Sequence, residues 1–204
     1  MSRRHGLPAG GPQATHRALA HAADARAFVL VEGYSDQIAV ETLAARQGRD
    51  LAGEGVVVVP IGGAQAIGRF LMRFAEAKIS GLCDVGEEEV FRRGLERAGY
   101  GSDLSRAAME QRGFFVCVVD LEDELIRALT PSGVEAVLEE HGDLGPFRTF
   151  QKQPAWRGQS VAAQLRRFMG SADRRKLRYA RLLVEALEPA QVPAPLAGVL
   201  ASIR

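Results

Sequence analysis

The chain has 204 residues, of which 47% are hydrophobic and 25% charged. This is the composition of a soluble globular protein that can bury a core without disulfides or structural metals. No apolar run reaches the roughly 20 residues that span a bilayer, and the N-terminus lacks the apolar segment of a signal peptide, so we expect a cytoplasmic protein with no membrane partner. The formal net charge is only +1, which by itself argues against a polyanionic partner.

The first 130 residues contain four apolar runs that predict buried strands. Residues 1–26 precede them and are expected to form a mobile tail (1–13) and a short helix (Thr15–Arg26). The predicted strands are Ala27–Val31, Val56–Pro60, Ile79–Cys83 and Phe114–Val119. Helical stretches follow the first three strands, at Ser35–Arg46, Ala64–Ala75 and Glu87–Ala98, and a shorter one at Leu104–Gln111 precedes the fourth. We therefore expect residues 27–130 to form an α/β domain with a parallel, four-stranded sheet flanked by helices.

The rest of the chain, residues 131–204, predicts only helices. Together with a helix just before this segment, the candidates are Glu122–Leu129, Val134–His141 (capped by Ser132), Val161–Met169 (capped by Ser160), Arg174–Leu187 and Pro195–Ile203. We expect these helices to form a basic extension packed on the same domain.

The charges are unevenly distributed along the chain. Residues 84–143 carry 15 acidic and 6 basic residues, a net charge of −9, whereas residues 146–181 carry one acidic and 10 basic residues, a net charge of +9. The value of +1 therefore results from two strongly charged segments that cancel. A solvated helix face explains any single charged run equally well, but an excess of ten to one suits a phosphate-binding surface.

Acidic residues follow three of the four predicted strands. They are Glu32 and Asp36 after the first, Asp84 and Glu87 after the third, and Asp120 and Glu122 after the fourth. Because functional crevices of open α/β sheets lie at the carboxyl ends of the strands, we expect these carboxylates to gather there. Carboxylates that lie close together repel one another unless a cation neutralises their charge. Mg²⁺ and Mn²⁺ are the cations that prefer such oxygen ligands. For Asp36 and Glu87, a favourable interaction with the positive end of a helix dipole is an equally good explanation.

Other residues give weaker signals. Gly62-Gly63 forms either a tight turn or a loop where a ligand can approach the backbone, and the absence of a Walker sequence excludes ATP hydrolysis by a P-loop mechanism. The candidate nucleic-acid contacts are Gly62, Gly63, Lys152, Arg157, Arg166, Arg167, Arg174 and Arg175. Trp156 is interpreted as a packing anchor, with base stacking as the alternative. Cys83 and Cys117 lie in apolar runs and are expected to be buried thiols.

Five short motifs resemble the TOPRIM domain of the OLD (overcoming lysogenization defect) nuclease family. They are FVLVEGYSD (28–36), PIGG (60–63), LCDVGEE (82–88), VVDLEDEL (118–125) and RRKLRYARLL (174–183). The last two look like the OLD type rather than the topoisomerase or primase type. Together the motifs extend over roughly residues 27–185, and the resemblance implies a TOPRIM-like fold.

The resemblance further implies a Mg²⁺- or Mn²⁺-dependent endonuclease or nickase acting on DNA. Glu32 and Lys176 would be catalytic, with Lys152 a rival for the lysine. The six acids named above would hold one or two metal ions or orient a water. One departure is Gly86, where many TOPRIM domains have the second Asp of Asp-x-Asp. Family members carry an ATPase domain before this region, so we expect any ATPase to act in trans. An oligomer is compatible with the sequence.

The sequence is also compatible with two other functions. One is a non-catalytic DNA- or protein-binding module, which Gly86 favours. The other is nucleotidyl transfer of the primase type, for which nothing in the basic segment provides nucleotide selection.

Overall fold

A computed structural model describes residues 12–20, 22 and 25–204. Most of the expected tail lies outside these residues. Helix α1 spans Pro12–Ala20, so the prediction of a helix over Thr15–Arg26 was wrong in its bounds. The reason is that Arg26 already belongs to the start of the sheet, where its N–H donates to the carbonyl of Gly55 at 2.7 Å. None of the helices in the described ranges is long and apolar enough to cross a membrane.

The sheet is parallel and has the strand order β2-β1-β3-β4. Its strands are β1 (Ala27–Val31), β2 (Val56–Pro60), β3 (Lys78–Cys83) and β4 (Phe114–Val116). The prediction of β1 and β2 is confirmed to the residue, and β3 begins one residue early. Because β1 and β3 are central neighbours in register, with Val31 opposite Leu82, their carboxyl ends lie side by side. This brings the residues that follow each strand together.

The prediction that the fourth strand continues to Val119 was wrong. The N–H of Cys117 still donates to the carbonyl of Cys83 at 2.8 Å, but the N–H of Val118 donates to the Glu124 carboxylate at 2.7 Å instead. The Val118 side chain is 55% exposed. The chain therefore leaves the sheet, and Asp120 is the N-cap of the next helix rather than the residue that ends a strand.

Within the described residues, nine α-helices follow α1 in chain order. They are α2 (Tyr34–Arg46), α3 (Ile67–Arg73), α4 (Glu88–Arg97), α5 (Arg106–Gln111), α6 (Leu121–Glu140), α7 (Leu144–Gln151), α8 (Val161–Met169), α9 (Asp173–Ala186) and α10 (Ala194–Ala201). The predicted helix at Ala64–Ala75 is shorter, because a 3-10 turn at Ala64–Ala66 precedes α3. Similarly, a 3-10 turn at Val85–Glu87 precedes α4. Helix α7 has no counterpart among the predicted helices.

Helix α6 contains both helices that were predicted between 122 and 141. They are separated by Thr130, whose φ of 63° is not helical. Pro131 follows directly, and a proline disfavours the helical conformation in the residue before it. The chain bends at this point without leaving the helical layer.

Apolar side chains pack on both faces of the sheet, as the unbroken apolar strands predict. Val29 of β1 belongs to a buried cluster that also contains Leu183 of α9 and Val199 of α10. The next strand residue, Leu30, faces the other way and belongs to a second buried cluster that also contains Phe91 of α4. The C-terminal helices therefore share one core with the sheet, and they cover the face on which α2 and α6 also pack.

Candidate active site

Glu32 and Asp84 are joined directly at the carboxyl edge of the two central strands. Glu32 follows β1, and its carboxylate Oε1 accepts a hydrogen bond from the main-chain N–H of Asp84, the residue after β3, at 3.0 Å. Burial raises the pKa of Glu32 above its ordinary value, against the lowering effect of this hydrogen bond. Glu32 is thus partly desolvated, and its carboxylate is held by the hydrogen bond from Asp84.

The Gly62-Gly63 turn lies against the backbone of Glu32. Both glycine N–H groups donate to the Glu32 carbonyl at 3.1 Å. Their φ angles are +77° and +108°, and a Cβ at either position would meet nothing within 4 Å. The turn therefore needs glycine for its conformation and faces open space. Its two amides are already used, so the sequence prediction that this turn contacts phosphate stays a prediction and cannot depend on those donors.

Asp36 lies one helical turn beyond Glu32. Its carboxylate Oδ2 accepts a hydrogen bond from the N–H of Gly33 at 2.8 Å, and Gly33 is the N-cap of α2. Helix α2 therefore begins at Tyr34, one residue before the predicted start at Ser35. Burial, and after it the negative charge of Glu122, raises the pKa of Asp36 to about 7. Asp36 thus both accepts a hydrogen bond at the N-terminus of α2 and lies near other acids.

Asp84 lies at the centre of the acidic residues. Burial raises its pKa to about 8, assisted by the charges of Glu32, Asp36, Asp120 and Glu122. We call these five residues the carboxylate cluster. Acids from three separate chain segments therefore repel one another at one place, as the order of strands and acids predicts.

Glu87 is the sixth predicted metal ligand and lies beside the carboxylate cluster. It is the N-cap residue of α4 but makes no side-chain capping hydrogen bond. Its negative charge contributes to the raised pKa of Glu32. It is therefore near enough to act on the cluster through charge.

Lys176 is the lysine that the fold brings to these acids. Its Nζ lies 3.3 Å from Oε1 of Glu122. Burial lowers the pKa of Lys176, but the charges of Glu122, Asp36 and Asp84 raise it by more, so the ammonium form is stabilised. The rival Lys152 is exposed at the end of α7 and has no ion pair with any described residue.

Asp120 uses both carboxylate oxygens. Oδ1 accepts from the N–H of Asp123 at 2.8 Å, which caps α6, and Oδ2 accepts from Nε of Arg166 at 2.6 Å. Arg166 was predicted to contact nucleic acid, but here it is paired with an acid of the site. The pair is half-exposed, so it contributes little to stability.

The carboxylate cluster has the right donor chemistry for Mg²⁺ or Mn²⁺, which prefer carboxylate oxygens. In the part of the chain that the structure describes, however, no group of three or more His, Cys, Asp or Glu side chains is arranged closely enough to hold a metal ion. The oxygens of Glu122 and Asp120 are directed at Lys176 and Arg166 instead. The donors fit in type and charge, and side-chain rotation is needed to bring them into one shell.

The basic segment folds back onto the acidic one. Four ion pairs connect them, namely Arg166 with Asp120, Lys176 with Glu122, Arg178 with Asp143, and Arg148 with Glu135. Five basic side chains of this segment have no carboxylate partner among the described residues: Lys152, Arg157, Arg167, Arg174 and Arg175. The cancelling charges of the sequence are therefore partly matched in space, and a smaller basic surface remains.

Sequence reasoning missed an aromatic group beside this basic surface. The Trp156 ring stacks on Phe150 with centroids 5.4 Å apart, and Phe150 contacts Phe168 at 5.7 Å. Phe150 belongs to α7, the helix that was not predicted. The Phe-x₂-Phe spacing of residues 147–150 was the available signal, but a glycine and a proline at the start of the segment obscured it. The two cysteines are buried, as expected.

Residues 25–83 match the family model for the TOPRIM domain of overcoming lysogenization defect protein-like proteins. This range contains Glu32, Asp36 and the Gly62-Gly63 turn, and ends one residue before Asp84. No curated protein sequence matches the chain.

Solved structures give a similar result for the fold. The C-terminal region of the Burkholderia pseudomallei OLD protein is 20% identical, with a TM-score of 0.65, and the match covers 88% of this chain and 97% of that one. The C-terminal region of the Xanthomonas campestris pv. campestris OLD protein is 21% identical, with a TM-score of 0.63, over 88% and 94% of the two chains. The predicted TOPRIM-like α/β fold is therefore confirmed.

Proposed function

We propose that the chain is a divalent-metal-dependent endonuclease that hydrolyses DNA phosphodiester bonds, because residues 25–83 match the family model for an OLD-like TOPRIM domain. The observation that carries the proposal is the carboxylate cluster around Asp84. Its acids come from three segments and are partly buried, and this burial, assisted by their mutual repulsion, raises the pKa of Asp84 to about 8. A site that concentrates acidic groups in this way favours the binding of a cation.

A divalent cation bound by these oxygens would neutralise the repulsion, polarise a scissile phosphate and lower the pKa of an attacking water. Glu32 and Asp84 would hold it from the two central strand ends, with Asp36 beside them. Asp120 and Glu122 are available as further ligands once they release Arg166 and Lys176. Every one of these donors is a hard oxygen, as Mg²⁺ and Mn²⁺ require.

Lys176 then has a defined role in the proposed reaction. Its ammonium form is stabilised by the surrounding acids, and it pairs only with Glu122 among the described residues. When Glu122 turns to another ligand, Nζ is free to hold a non-bridging phosphate oxygen and to stabilise the charge that develops there. Once Asp120 releases it, Arg166 would hold a neighbouring phosphate as a planar, permanently charged group.

The test is nicking of supercoiled plasmid in Mg²⁺ or Mn²⁺. The wild type is compared with Glu32→Gln and Asp84→Asn, which keep side-chain shape, and with Glu139→Gln, which removes an exposed acid on α6 away from the cluster. We expect metal-dependent nicking that both site variants abolish and the control retains. Metal-dependent nicking by both site variants at the wild-type rate would refute the assignment.

The second candidate is a module that binds DNA or a protein without cleaving it. Two observations favour it: Gly86 stands where a further acid is common in the family that the sequence resembles, and Glu122 and Asp120 are held by basic side chains. Salt-dependent DNA binding by the wild type, without nicking in any divalent metal, would identify this function.

A further inference from the structure

A groove on the C-terminal helices lies outside the carboxylate cluster. It is bounded by α7, the Trp156 loop, α8 and the start of α9, and its volume is about 620 Å³, within the roughly 300–1,000 Å³ of small-ligand sites. The residues that matter in it are Phe150, Trp156, Arg167, Phe168, Ser171 and Arg175. We call it the aromatic groove.

The aromatic side of the groove is held in place. Trp156 stacks on Phe150, and its carbonyl accepts a hydrogen bond from Nε2 of Gln164 at 2.8 Å. Gln164 is 5% exposed, and its own Oε1 accepts from Nε2 of Gln151 at 2.7 Å. Two hydrogen-bonded glutamine amides, one of them buried, thus fix the loop, while Trp156 stays partly exposed.

The other side of the groove is cationic. Arg175 lies over the Phe168 ring at 4.1 Å from the centroid, and its Nη1 donates to Ser171 Oγ at 2.7 Å. Arg167 is exposed. Neither arginine pairs with a carboxylate of the described chain, and the lining includes no acidic residue. The groove therefore offers a ring surface and two uncompensated positive charges to the same ligand.

The aromatic groove and the carboxylate cluster are linked through two helices. On α8, Arg166 pairs with Asp120 of the cluster, and the next residue, Arg167, lines the groove. On α9, Lys176 pairs with Glu122, and the preceding residue, Arg175, lines the groove. A nucleic-acid strand that crosses these two helices would pass from the aromatic groove to the carboxylate cluster.

We propose that the aromatic groove binds an unpaired base of a DNA strand whose backbone passes Lys176 toward the carboxylate cluster. The base would stack on Trp156, and its phosphates would contact Arg167 and Arg175. Stacking platforms with adjacent positive charge are the common means of binding single strands, and a base inside a duplex has no free face to stack. This inference rests on the proposed nuclease function and adds its substrate class, single-stranded or locally unpaired DNA.

The chain provides its own probe, because Trp156 is its only tryptophan. The experiment adds a single-stranded 20-nucleotide DNA to the full chain in EDTA and follows tryptophan fluorescence together with the anisotropy of labelled DNA. We expect binding by anisotropy and parallel quenching of the tryptophan. The duplex of the same sequence should quench much less.

Four variants sharpen the result. Trp156→Ala should weaken single-strand binding about tenfold, the effect of losing one base stack, and Trp156→Phe should keep most of the affinity. Arg167→Ala should weaken binding and lower its salt dependence. Arg97→Ala, which removes an exposed charge from α4 on the other layer, should bind as the wild type does.

Each contrary outcome overturns the proposal. No binding of the single strand, binding without quenching, or equal quenching by the duplex would exclude the groove as a site for unpaired bases. Quenching by a deoxynucleoside monophosphate at lower concentration than by the strand would assign the groove to free nucleotides. Since these measurements need no metal and no cleavage, they fail or succeed independently of plasmid nicking.

Discussion

The main-chain N–H of Asp84 donates to the Glu32 carboxylate at 3.0 Å, so the ends of the two central strands are joined through the acids of the site. The adjacency of β1 and β3 in the sheet makes this contact possible. It fixes the direction of one acid relative to the other before any ligand arrives.

Lys176 should be required for cleavage, and Lys152 should not. Lys176→Met removes the ammonium group beside Glu122 and should lower the plasmid-nicking rate by about 100-fold, the typical cost of losing one donor to a developing oxyanion. Lys152→Met, the matched control on the exposed end of α7, should nick near the wild-type rate. A rate that falls for Lys152→Met and not for Lys176→Met would reverse the choice between the two lysines.

Stability should fall as pH rises when divalent metal is absent. Asp36 and Asp84 have folded-state pKa values of about 7 and about 8, above the ordinary values near 4 that apply in the unfolded chain. Their stabilising effect is therefore complete below about pH 4 and is lost as the pH rises through 7 and 8. Thermal unfolding in EDTA should show a melting temperature that declines between pH 6 and pH 9.

The same experiment has an internal control. Asp84→Asn cannot ionise and should show a shallower decline, whereas Glu139→Gln should follow the wild type. Added Mg²⁺ should raise the melting temperature most at high pH, because the ionised cluster binds it best. A melting temperature that rises with pH in EDTA would contradict the raised pKa values of Asp36 and Asp84.

Gly86→Asp should strengthen metal binding. A Cβ at Gly86 would meet nothing within 4 Å, and its φ lies outside the left-handed region, so an aspartate fits without strain. It would add a carboxylate two residues after Asp84 and next to Glu87. Calorimetric titration with Mn²⁺ should show tighter binding than in the wild type. Gly86→Asn adds a side chain of similar size but no charge and should show a smaller gain in Mn²⁺ affinity. Weaker binding by Gly86→Asp would count against a metal at this edge.

Gly81→Ala should destabilise the central strands. A Cβ at Gly81 would lie 2.8 Å from Phe114 Cδ1 and 3.1 Å from the carbonyl of Leu30, inside the core where overpacking costs about 1–3 kcal/mol. Denaturant unfolding should report a loss of this size. Gly86→Ala, which enters open space, should change the free energy of unfolding by less than about 0.5 kcal/mol.

The sequence predicts most of the sheet because its strands are unbroken apolar runs. Ala27–Val31 and Val56–Pro60 are confirmed to the residue. Neither strand alternates, because both faces of the sheet are covered; the first lies between Arg26 and Glu32, and the second begins after Gly55 and ends at a proline. The fourth strand was predicted too long because its end depends on Glu124, a residue of the next helix that binds the Val118 N–H. No local pattern contains that contact.

The grouping of the acids was also predictable, whereas their pairing was not. Strand-end positions are enough to bring Glu32 and Asp84 together. The ion pair of Arg166 with Asp120 joins residues 46 positions apart and follows from how α8 packs on α6. For the same reason the aromatic groove was missed, because Phe150 and Trp156 meet only after α7 has folded.

The most direct measurement is the plasmid-nicking rate as a function of Mn²⁺ concentration for the wild type and Asp84→Asn. If the carboxylate cluster holds the catalytic metal, the wild type should nick with saturable Mn²⁺ dependence. Asp84→Asn should require at least about tenfold more Mn²⁺ or lose activity, since even the outer partners of metal ligands contribute 10–100-fold. Identical Mn²⁺ curves for the two proteins would contradict the assignment of the site.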